Sequence, residues 1–66
     1  MADQIDRIDL NIITALSKDA RLSMAELAGQ VGLSKTPVAA RVKRLEADGY
    51  IRGYSAIVDR ERLGEG

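Results

Sequence analysis

The sequence predicts a mainly α domain of three short helices followed by one extended strand segment. Apolar residues recur at helical spacing in three stretches, near residues 6–18, 23–31 and 35–48. A residue that caps helices opens each stretch (Asp6, Ser23 or Ser34), and Gly32 and Gly49 close the second and third. After Gly49 the character changes: residues 50–58 are rich in β-formers and end at Asp59.

In the first helix Asp6 is the expected cap, and Asp9 returns a hydrogen bond in a variant of the capping box. Both acids suit the positive end of the helix. Ile5 and Leu10 have the placement of a hydrophobic staple, which accounts for a leucine lying off the core stripe. Ile8, Ile12, Ala15 and Leu16 form that stripe, widened by Ile13. Around the second start, Leu22 and Leu27 repeat the staple, and Ser23 with Glu26 makes an S-x-x-E capping box. Leu27, Ala28 and Val31 share one face, where Ala28 is small enough to let another helix approach. Gly32 then supplies a tight turn.

For the third helix Ser34 is the expected cap, with Leu33 and Val38 as staple partners. Pro37 falls in the first turn, where backbone N–H groups lack intrahelical acceptors and proline costs little. Val38, Val42 and Leu45 recur at i, i+4 and i+7 and pin this helix to the core. The segment 50–58 would be a lone strand with unpaired edges, so it needs a partner strand, and pairing with a second copy is the homodimer the chain allows. Residues 1–59 thus form one expected domain, and 60–66 a tail or truncated linker.

Composition narrows the function. An apolar content of 45%, with two Tyr and no Trp or Phe, gives a thin aliphatic core. Without Cys or His there is no disulfide framework and no thiolate or imidazole for a metal or a catalytic triad. No convergent acidic pair marks a catalytic pocket, so an enzyme is not expected and neither is a cofactor. No apolar run approaches the roughly 20 residues of a membrane span, and the acidic N-terminus is unlike a signal peptide, so a cytoplasmic protein is expected. The net charge is zero, yet Lys35, Arg41, Lys43, Arg44 and Arg52 cluster against only Glu46 and Asp48, while the flanking segments are acidic. Such a dipolar pattern orients one face toward phosphates.

Two helices joined by a glycine turn and braced by a preceding helix make a helix-turn-helix, whose second helix enters the DNA major groove. Opposite Val38 and Val42, the third helix presents Thr36, Ala40, Lys43 and Ala47, with Arg44 and Arg41 on one flank. That face has nothing apolar to bury. Thr36, Lys43 and Arg44 are the candidates for base edges, where Arg and Lys bond guanine O6 and N7. Ser23, Ser34, Lys35, Arg41 and Arg52 are the candidates for the DNA backbone, and Arg41 has a second option in pairing with an acid. The rival function is a helix-turn-helix protein-interaction module without DNA binding, which the neutral net charge favours.

Four segments carry a family resemblance: IDRIDLNII, RLSMAELA, VGLSKTPVAARVKRLE and GYIRGYSA. They resemble the N-terminal DNA-binding domain of Lrp/AsnC-type bacterial transcription regulators over nearly the whole chain. The resemblance implies a winged-helix-like fold, binding of double-stranded DNA by a recognition helix over 35–48, dimers or larger assemblies, and control of amino-acid-metabolism genes. Members of that family continue into an α/β domain that binds amino-acid effectors. That domain is absent from these residues, so DNA binding without an effector response is expected.

Overall fold

The computed structural model describes residues 5–64. The expected domain start at residue 1 and the last two residues of the 60–66 tail lie outside them. The described chain folds into three helices: α1 Arg7–Lys18, α2 Met24–Val31 and α3 Lys35–Ala47. No helix among the described residues is long and apolar enough to cross a membrane.

Local chemistry fixes each start. Asp9 N–H donates to Asp6 Oδ1 at 2.8 Å and Asp6 N–H to Asp9 Oδ2 at 3.3 Å, closing the box at the head of α1. The same reciprocal pair forms at α2, with Glu26 N–H on Ser23 Oγ at 3.1 Å and Ser23 N–H on Glu26 Oε1 at 2.9 Å. Ser34 occupies the cap position of α3, but its hydroxyl makes no capping bond. Capping hydroxyls bond the amide two or three residues on, and three residues after Ser34 stands Pro37, which has no N–H to offer.

Gly32 and Gly49 end α2 and α3 in left-handed conformations, with φ of 77° and 86°. Both turns close by the same bond across six residues: Leu33 N–H reaches Ala28 O at 3.0 Å, and Tyr50 N–H reaches Leu45 O at 3.0 Å. The first of these turns sets the angle between α2 and α3.

The core draws on all three helices: Ile12 and Leu16 from α1, Leu27 and Ala28 from α2, and Val38, Val42 and Leu45 from α3. Ile8, Leu22, Val31, Leu33 and Ile51 pack against its rim. Leu10, the proposed staple partner of Ile5, stays half exposed.

The strand expected over 50–58 does not form among the described residues. A strand needs a ladder partner, and no other stretch among the described residues supplies one. Instead the segment leaves α3 and folds back, with Ile51 packed against the core. Tyr54 Oη donates to Glu46 Oε2 at 2.5 Å, tethering the segment to α3. That bond and partial burial push the Tyr54 phenol up to about 12. Ile57 and Val58 are left in solvent.

Candidate nucleic-acid interface

α3 carries the candidate face, and α1 and α2 hold it in place. Val38, Val42 and Leu45 are buried, so the opposite side of the helix is necessarily outward, and Thr36, Ala40, Lys43 and Ala47 are all exposed there. Ala40, between the Thr36 hydroxyl and the Lys43 ammonium, and Ala47 beyond them are small enough to leave room for close approach to a groove floor. Lys35 is exposed in the first turn beside Ser34, and Arg52 is exposed beyond the end of the helix.

Ser34 and Ser23 differ in what they still offer. Ser23 Oγ already accepts the Glu26 amide, which leaves its hydroxyl hydrogen for another acceptor. Ser34 Oγ, having no cap bond, keeps both functions at the exposed start of α3.

Arg41 and Arg44 are drawn together by α1. Arg41 Nη1 lies 2.8 Å from Asp6 Oδ1 and 2.9 Å from Asp9 Oδ1, and Arg44 Nη2 lies 2.9 Å from Asp9 Oδ2. Arg41 therefore takes the acid-pairing option that its sequence position left open. The Arg41 guanidinium holds the Asp6 carboxyl below the usual carboxylate range, helped by the Asp9 amide. In return the carboxylates of Asp6 and then Asp9 raise the Arg41 pKa.

Asp9 is the residue that sequence reasoning undervalued. Its side chain is only 1% exposed, yet it is ionically bonded to two arginines of α3 as well as completing the α1 cap. The capping box already explained an acid at this position, so nothing local asked for a second role. The available signal was non-local: acids three apart at the head of one helix, and arginines three apart on another.

The profile of the family described as winged helix-turn-helix DNA-binding matches residues 5–52. The Bkd operon transcriptional regulator of Pseudomonas aeruginosa is 57% identical over 60 residues, which is 91% of this chain and 39% of that protein. The leucine-responsive regulatory protein of Escherichia coli K12 is 53% identical over 55 residues, covering 83% of this chain and 34% of its own length. Among solved structures, Bacillus subtilis LrpC superposes with a TM-score of 0.83 at 49% identity, over 92% of this chain and 44% of that one. The chain thus spans well under half the length of each of these relatives.

Proposed function

Since the chain belongs to the winged helix-turn-helix DNA-binding family and carries the DNA-binding domain of an Lrp/AsnC-type regulator, we propose that it recognises specific sites in double-stranded DNA and regulates transcription of amino-acid-metabolism genes in the bacterial cytoplasm. The observation that carries this reading is the outward face of α3: Thr36, Ala40 and Lys43 lie opposite three buried apolar anchors, on a helix braced by two others. In the complex α3 lies in the major groove, with Thr36, Lys43 and Arg44 toward base edges. Ser23, Ser34, Lys35 and Arg52 take phosphates. Arg41 joins them only by giving up its bonds to Asp6 and Asp9. The regulators it resembles, rather than enzymes, set the class of activity.

Fluorescence anisotropy on duplexes enriched from a randomised library, beside unselected duplex, tests this reading. Lys43→Ala is expected to cost about 1 to 3 kcal/mol on enriched duplex and to relax its sequence preference. Lys35→Ala is expected to weaken enriched and random duplex alike. Affinity falls steeply with salt, because neutralised phosphates release counterions. No binding at low salt, or binding indifferent to salt, overturns the reading.

The tethered segment supports a second element of the proposal. Tyr50, Tyr54, Ile57 and Val58 form an exposed apolar run beside an open groove lined by Ile13, Leu16 and Ile51. A second copy pairing along this segment would supply the missing ladder and place two α3 helices on half-sites about 34–36 Å apart. Sedimentation should then show dimers on operator DNA, with Ile57→Lys shifting them to monomers. Dimers that persist unchanged in Ile57→Lys count against this segment as the contact.

A further inference from the structure

Asp9 is the only charged residue among the described ones that is fully buried. Capping α1 does not require that burial, because the matching box of Ser23 and Glu26 does the same work in solvent. Packing α1 on α3 does not require it either, since Ile12 of α1 and Val42 and Leu45 of α3 are already buried in the shared apolar core. What the acid adds is control over two arginines. Arg41 is held by both Asp6 and Asp9 and is mostly covered, whereas Arg44 is held through Nη2 alone and its side chain stays 53% exposed. Its Nη1 and Nε have no hydrogen-bond partner among the described residues, and they lie at the flank of the face that carries Thr36, Ala40 and Lys43.

From this arrangement we propose that Asp9 is a positioning residue for DNA sequence readout. By fixing Nη2 of Arg44 it holds the guanidinium in one orientation at the rim of the groove-facing surface, with its Nη1–H and Nε–H donors left for the DNA. The inference rests on the DNA-binding reading above. Two physical effects follow. A long arginine side chain ordered before binding loses less conformational freedom on docking. The carboxylate also offsets the arginine's charge, so indiscriminate attraction to phosphate is reduced while directed hydrogen bonding is kept. Both effects favour selected over random DNA.

The test uses the whole chain, with duplexes enriched from a randomised library by the unaltered protein and unselected duplex as the reference. Asp9→Asn is expected to lower the ratio of enriched to random affinity roughly tenfold, and to steepen the salt dependence on random duplex. Asp9→Asn combined with Arg44→Ala should lose no more selectivity than Arg44→Ala alone. A ratio unchanged in Asp9→Asn, or losses that multiply in the double variant, overturns the proposal. Should Asp9→Asn not fold, nitrogen-detected NMR of the unaltered chain decides. Restricted rotation of the Arg44 guanidinium both in the free protein and in the enriched complex supports the proposal, and free rotation in either state overturns it. An unaltered protein that does not distinguish enriched from random duplex refutes the DNA-recognition reading itself, a result separate from selectivity that survives in Asp9→Asn.

Discussion

Leu27→Ala is expected to leave the domain largely unfolded at physiological temperature. Leu27 has no exposed surface and belongs to the core that all three helices share. Truncating a buried leucine costs about 2 to 5 kcal/mol, from lost burial and the cavity left behind. A domain of this size has only about 3 to 10 kcal/mol of stability to lose. The aliphatic core contains no aromatic side chain that could move in to fill the gap. Urea denaturation followed by circular dichroism measures the loss, and Leu10→Ala is the control. Leu10 is half exposed, so its replacement should change stability by less than about 0.5 kcal/mol. Equal losses at the two positions would mean that the core is not where the three helices place it.

Arg41→Met has the second large effect, and its size depends on pH. The substitution keeps the aliphatic stem but removes the donor shared by Asp6 and Asp9. The Asp6 contact contributes little, because it is open to solvent. The cost falls on Asp9, which stays buried with one fewer donor, and should reach about 2 kcal/mol. This lies below the range for severing a fully buried pair, since Arg44 still bonds Asp9. Asp6 sets the sign with pH. Its folded pKa is depressed below the unfolded value of 3.8, so the stability it contributes is present above that value and is lost as pH falls through the folded one. The unaltered protein should therefore weaken slightly more with acid than Arg41→Met, so the gap between the two denaturation midpoints should narrow at low pH without closing. A gap that stays constant or widens in acid would contradict the ionic link between α1 and α3.

What the sequence made legible was local. Capping pairs three residues apart, staples and the apolar stripes act within a helical turn, which is why Asp6 with Asp9 and Ser23 with Glu26 form as their spacing implies. Ser34 departs from the pattern for an equally local reason: Pro37 removes the amide its hydroxyl would have bonded. The rest depended on distant residues. Nothing near Asp9 indicates that Arg41 and Arg44, on another helix, will converge on its carboxylate. The segment 50–58 has the composition of a strand, but composition does not provide a partner, and it folds back onto Glu46 through Tyr54 instead. For the candidate site, periodicity placed Thr36 and Lys43 on the open face. It could not say that Arg44, on the flank, would be held from behind.

The central claim is that the outward face of α3 meets the DNA. Titrating the isotopically labelled chain with an enriched duplex, and following amide and side-chain NMR signals residue by residue, tests it most directly. The largest shifts are expected at Ser34, Lys35, Thr36, Ala40 and Lys43, with the arginine side-chain signal of Arg44 moving beside them. Shifts confined to residues 50–58 and the end of α1, with the α3 face undisturbed, would contradict it.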